Sequence, residues 1–213
     1  LLIGGNVTAG SSKTVVMNIA DGGDVSFNGG TAQAIAATIT GSAVGGTMTL
    51  SGAGEKTFSL AVGGNSTHEL GALTVATGST GTFSGTLDAV AVTVAATGTL
   101  NVDGASAFTT IANSGALVFS DVVDITGDSG DAIITMAATG ATITLDDTGT
   151  NIYDFNTVTA TDGFGSILVL DASTNGAAAV QTLDGDIGAA TLKIGSLIVG
   201  NGTTNGSLTT GDG

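Results

Sequence analysis

Oxygen ligands are the chemistry this chain offers most plainly. Asp121, Asp124, Asp128 and Asp131 form its densest acidic group, set three, four and three residues apart among glycines and a serine. Carboxylates in such glycine-rich corners supply the hard oxygen donors that Ca2+ prefers, with backbone carbonyls and water completing its shell. Asp146, Asp147 and Asp154 make a second candidate group. The alternative is that these aspartates face solvent and cap turns through their own backbone, as Asp commonly does. Paired carboxylates could also act as acid and base on a glycosidic bond, and Asp146/Asp147, Asp184/Asp186 and Asp21/Asp24 are the pairs available. None has an aromatic platform beside it in sequence. The chain holds one tyrosine, Tyr153, seven phenylalanines and no tryptophan. Arginine is absent too, so no bidentate clamp for an acidic sugar exists.

The string Gly127-Asp128-Ser129-Gly130 resembles the nucleophile loop of trypsin-like serine proteases. That resemblance implies a histidine base held by an aspartate, and the sole histidine, His68, does lie upstream, with Asp88 and Asp103 between. His68 sits in Ser-Thr-His-Glu-Leu, which lacks the family's small-residue and cysteine surroundings, and in a chain this rich in Gly, Asp and Ser a chance GDSG corner is the reading we adopt. No enzyme is expected.

Threonines recur at period two, as at Thr38/Thr40, Thr47/Thr49, Thr97/Thr99, Thr142/Thr144 and Thr157/Thr159/Thr161. This spacing puts both hydroxyls on one strand face. Stacked in register, such pairs could order water and bind ice. The linear spacing shows no recurrence at one coil position, however, so threonine as an ordinary strand residue is the reading the sequence favours. Asn-x-Ser/Thr acceptors at Asn6, Asn65, Asn201 and Asn205 are of the number chance produces in so threonine-rich a chain.

These groups must be positioned by short strands. Apolar phrases of three to eight residues recur throughout, among them Val25 to Phe27, Met48 to Leu50, Phe58 to Val62, Leu73 to Val75, Val90 to Val94 and Leu117 to Val123, each bounded by Gly, Asn, Asp or Ser. Only Ala177 to Leu183 suggests a turn of helix. From Gly64 to Asp131 small-residue and glycine phrases return about every seventeen residues, with blocks opening at Gly64, Gly81, Gly98 and Gly115. Spacing widens toward twenty-five on either side, as coils of variable girth would require. The expected fold is all-β, a right-handed parallel β-helix or β-solenoid, occupying residues 1–213 as one segment of a longer chain. Tandem β-sandwiches are the alternative, since they too have strands at short regular spacing.

Composition narrows the function. The chain has 213 residues, 42% of them hydrophobic but only 4% aromatic, and 36 glycines with no proline. A narrow core of Val, Ile, Leu and Ala follows, with corners made by Gly and Asn. No cysteine is present, which removes disulfides and thiolate metal sites. Eighteen acidic residues face three lysines, Lys13, Lys56 and Lys193, for a net charge of −15. Phosphate contacts need clustered cations, so nucleic-acid binding is excluded. No apolar run reaches the length of a membrane helix. An acid-rich, cysteine-free chain suits an extracellular, cell-surface medium in which dissolved cations screen self-repulsion.

The phrases GALTVATGSTGTFSGTL, GTLNVDGASA and GALVFSDVVDITGDSG resemble the Gly/Thr/Ala/Asp-rich repeats of microbial surface-layer proteins, giant adhesins and autotransporter passengers. The chain departs from the calcium-binding toxin repeat GGxGxDxUx, which occurs nowhere in tandem. The resemblance implies a structural extracellular protein that self-assembles into a cell-surface layer or filament, and the net charge of −15 calls for divalent cations such as Ca2+ to bridge its acidic faces. The alternative it implies is an adhesin or phage-fibre shaft that binds a host surface or glycan, with Tyr153, Phe155 and Phe164 as the exposed aromatics.

Overall fold

The structure is a computed structural model, and it describes residues 1–42, 45–64, 68–120, 123–124, 133–147, 152–160, 166–171, 181–188, 194–199 and 208–210. Among these there is no helix. The largest sheet stacks Leu2–Ile3, Asp24–Phe27, Gly45–Leu50, Leu70–Val75, Leu87–Val94, Ser106–Asn113, Val123–Asp124, Ile152–Ala160, Gln181–Ile187 and Leu208–Thr210 in that order. Ile133–Met136 lies between Ser106–Asn113 and Ile152–Ala160. A second sheet stacks Gln33–Ile35, Glu55–Phe58, Thr80–Phe83, Thr99–Val102, Ala116–Phe119, Thr142–Asp147, Ser166–Asp171 and Ser196–Val199. Val15–Ile19 pairs with Ala37–Gly41.

Every described ladder is parallel. Parallel neighbours need a crossover, and here the crossover is the remainder of a coil that returns to the same edge. The fold is therefore a β-solenoid, and antiparallel sandwiches are excluded. The expected helical turn at Ala177 to Leu183 gives way to strand Gln181–Ile187, with residues 177 to 180 outside the described set.

Each coil has three straight runs. Strand Leu87–Val94 bends midway: its register with Ser106–Asn113 holds at Ala89↔Phe108 and resumes at Ala91↔Thr110. On the next coil the same bend has become a break, since Val123–Asp124 and Ile133–Met136 pair separately with the two halves of Ser106–Asn113. The first run passes through Leu87–Ala89, the second through Ala91–Val94 and the third through Thr99–Val102. Coil girth varies at the corners alone, so register survives insertions there.

Alternation within each run sends one residue set inward. Second-run columns Val25, Met48, Leu73, Val92, Ile111, Ile134 and Phe27, Leu50, Val75, Val94 meet third-run columns Leu100, Leu117, Ile143 and Ile35, Phe58, Phe83, Val102, Phe119, Leu145 across a core in which all of these are buried. Phe58 stacks on Phe83 with centroids 4.5 Å apart and ring planes 3° from parallel, and meets Phe27 edge-on at 5.2 Å. The aromatics thus concentrate in neighbouring coils, and aliphatic side chains fill the rest.

Phe58→Ala is expected to destabilise the fold by about 3–5 kcal/mol, because it opens a cavity between two ring partners. Gly54 passes so close to the coil beneath that a Cβ there would overlap the Thr31 carbonyl. Gly54→Ala should therefore cost more than about 1 kcal/mol, since Gly54 is buried within its corner. Urea unfolding followed by circular dichroism measures both.

Candidate functional site

In a parallel stack each side chain has its nearest equivalents one coil above and below, roughly 4.7–4.9 Å away along the hydrogen-bonding direction. Acidic residues are collected by that rule. The first-run ladder places Asp88 beside Ala107, Ala107 beside Asp124, Asp124 beside Asp154 and Asp154 beside Asp184. Four carboxylate positions therefore fall in one register column. Glu69 stands next to its described end, immediately before the strand whose Leu70 pairs with Ala89.

Asp124 and Asp154, drawn from the two different acidic groups of the sequence, become neighbours. Asp121, Asp128 and Asp131 lie outside the described residues, so the Asp121 to Asp131 group is placed only through Asp124. Asp146 and Asp147 end a strand of the other sheet, where Asp146 pairs with Leu170 and Asp147 with Asp171. They are thus separated from the column that holds Asp154. Among the described residues, no group of three or more His, Cys, Asp or Glu side chains is arranged to hold a metal ion.

Asp88, at the described end of this column, has a shifted acidity of its own. Partial burial, with the Glu69 carboxylate beside it, pushes its pKa up to about 6, while a hydrogen bond from the Ala107 backbone pulls the other way. Asp88 thus takes up a proton close to neutrality. His68 immediately precedes Glu69, and its carbonyl accepts a hydrogen bond from Gly41 N at 2.9 Å. Gly127, Asp128, Ser129 and Gly130 are outside the described residues, so the GDSG string acquires no geometry with His68.

Sequence reasoning did not anticipate the buried polar side chains of the corners. Lys56 is 0% exposed, at the third-run position occupied by Gln33 on one side and Gly81 on the other. Its ammonium donates to the Gly52 carbonyl at 2.8 Å and to the Gly54 carbonyl at 2.5 Å, while Ser79 Oγ donates to the Gly52 carbonyl at 3.0 Å. Burial lowers the Lys56 pKa. Gln33 repeats the device: its Nε2 donates to the carbonyls of Ile3 and Gly5 and its Oε1 accepts from Gly29 N. Asn113, also 0% exposed, donates to the Thr142 carbonyl at 2.9 Å and accepts from Gly115 N at 3.0 Å. These side chains clamp corners. Ser106 is the exception, for its buried Oγ has no hydrogen-bond partner.

An open groove of about 280 Å³ follows three stacked corners and is lined by residues such as Thr97, Gly98, Ser114, Gly115, Thr139 and Gly140. It carries no titratable group. Five phenylalanines, Phe27, Phe58, Phe83, Phe108 and Phe119, are interior. The backbone of Tyr153 and Phe155 is placed in strand Ile152–Ala160, while their side chains and all of Phe164 lie outside what is described.

The outer columns hold the hydroxyls, and here the register adds what linear spacing does not show. Ser26, Thr49, Thr74, Thr93, Ala112, Thr135 and Thr159 occupy a single column of the second run. Thr80, Thr99, Ala116 and Thr142 do the same on the third run, beside Thr57, Thr82, Asn101, Val118 and Thr144. Asn101 donates to Thr82 Oγ1 at 3.1 Å, and Thr82 donates to Glu55 Oε1 at 2.6 Å, a hydrogen-bonded chain across three coils. Single threonines thus recur at one coil position, which unequal coil girth hides in the linear sequence, whereas the Thr-x-Thr pairs fall on different runs: Thr38/Thr40 beside Val15–Ile19, Thr47/Thr49 on the second run and Thr142/Thr144 on the third.

Comparison with family models, with characterised proteins and with solved structures gave no match. What can be said of the class rests on fold and site alone: a parallel β-solenoid with an acidic column on one run and hydroxyl columns on the others.

Because the folded-state pKa of Asp88 lies above the unfolded value of 3.8, its contribution to stability is fully present below pH 3.8 and is lost as pH rises through about 6. Replacing it by asparagine should remove that share, so the melting-temperature difference between pH 4 and pH 7.5 is expected to shrink in Asp88→Asn relative to wild type. Ser106→Ala removes a buried hydroxyl without a partner. It should raise stability by about 1 kcal/mol, read from the same urea curves.

Proposed function

We propose that this chain is the rod of an extracellular, cell-surface structure, and that its stacked coils serve self-assembly into a layer or filament. The observation that supports the reading is the parallel stack itself, in which each described ladder repeats the same columns of side chains from coil to coil. Such a fold offers a long repetitive surface rather than a pocket, and copies of one chain can match such surfaces along their length.

Charge sets the condition for assembly. A net −15 makes copies repel one another, and the Asp88, Asp124, Asp154 and Asp184 column concentrates part of that charge along one run. Divalent cations, Ca2+ in particular, are the natural bridge between such surfaces. Surface binding by an adhesin or fibre shaft is the rival role for the same rod. It requires exposed recognition groups, and the described phenylalanines are committed to the core.

Electron microscopy and sedimentation of the purified chain, in millimolar Ca2+ and after chelation, separate the two. Ordered sheets or filaments that dissolve on chelation are the expected result. Single rods under both conditions would overturn self-assembly and favour the adhesin.

A further inference from the structure

The second run has an outer side unlike any other described part of this acidic molecule. From Gly45–Leu50 to Ile133–Met136 its outward positions include Thr47/Thr49, Ala72/Thr74, Ala91/Thr93, Thr110/Ala112 and Thr135. Six of these nine are threonine, and none is charged. Acidic residues stand only at the two limits of the first column, where Asp24 pairs with Thr47 and Asp186 with Thr157. The first run holds the aspartate column, and the third run is interrupted by Glu55 and by Val118. Charge has been kept off one face.

A parallel ladder fixes the geometry of that face. Equivalent residues on successive coils lie about 4.8 Å apart, and alternate residues within a strand about 6.6 Å apart. The hydroxyls and methyls therefore form a two-dimensional grid held by the backbone rather than by flexible side chains, since β-branched threonine is restricted at χ1. Thr93 and Thr110 are exposed, while Thr47, Thr49, Thr74 and Thr135 are half-buried between the flanking columns. Hydroxyls on such a grid can each anchor a water, and the methyl groups between them restrict the orientation of the waters next to them. An ionic group would orient its hydration shell about itself and break the pattern.

We propose that this outer face binds ice, holding a layer of water in a two-dimensional array that the crystal lattice continues. Thr49, Thr74, Thr93 and Thr135 form the main row, with Thr47 and Thr110 in the second. The proposal stands apart from self-assembly, because it requires one rod only.

The test is adsorption of the fluorescently labelled full chain to a slowly grown ice hemisphere, together with thermal hysteresis. Thr93→Tyr and Thr110→Lys both alter exposed outward positions, and Asp103→Tyr, exposed in a corner away from the face, is the control. Wild type and Asp103→Tyr should enter the ice and depress its growth temperature, whereas both threonine variants should lose adsorption while keeping the wild-type circular dichroism spectrum. Rejection of the wild-type chain from ice overturns the proposal. So does undiminished adsorption of both threonine variants. If sedimentation shows wild-type oligomers that Thr93→Tyr disperses while no form enters ice, the face is a contact between copies and the ice proposal fails.

Discussion

Everything in this molecule follows from parallel pairing of a chain with its own next coil. That pairing gives each residue two nearest equivalents of the same orientation, so side chains are sorted into columns and a column's composition decides what its surface is. Inside, Phe, Leu, Val, Ile and Met replace one another along columns without loss of contact. Phe58 can stack on Phe83 because the two are register neighbours on successive coils, and it meets Phe27 edge-on across the core. Outside, the same rule places like with like, which is harmless for threonine and costly for aspartate. The pKa of Asp88 is raised first by its partial burial and then by the neighbouring Glu69 carboxylate.

Corners are where the ladder gives out, and backbone groups freed there must find other partners. Lys56, Gln33 and Asn113 answer this by turning inward and binding corner carbonyls and amides. Burial of the Lys56 charge is unfavourable in itself. Two carbonyls reduce that penalty, and the arrangement ties the corner of residues 52 to 54 to the core. Gly54 and Gly115 complete these turns by leaving no Cβ where successive corners nearly touch.

Much of the architecture was legible, because short apolar phrases bounded by glycine have few other interpretations. Val25 to Phe27 and Met48 to Leu50 fall within strands Asp24–Phe27 and Gly45–Leu50. Boundaries were less so: Phe58 to Val62 reads as one apolar phrase, yet the strand is Glu55–Phe58 and only Val62 pairs beyond it. The glycine rhythm misleads in part. Gly81 pairs with Leu100, so it sits within a strand and is not the equivalent of the corner residue Gly98. Columns could not be read at all, since Thr49, Thr74 and Thr93 are spaced unequally and only backbone pairing shows them to be neighbours. The same holds for Asp124 and Asp154, which the sequence assigns to different groups. Lys56 gave no signal, because an isolated lysine in a strand reads as a surface residue.

That buried lysine has a further effect on how the molecule meets its surroundings. The chain contains no arginine and only three lysines, and Lys56 is sealed beneath its own corner. Proteases that cleave after basic residues therefore find Lys13 exposed but meet no open basic residue from position 14 to 192. Composition and burial together thus deny an entire class of digestive enzymes a foothold along most of the folded chain, without a disulfide.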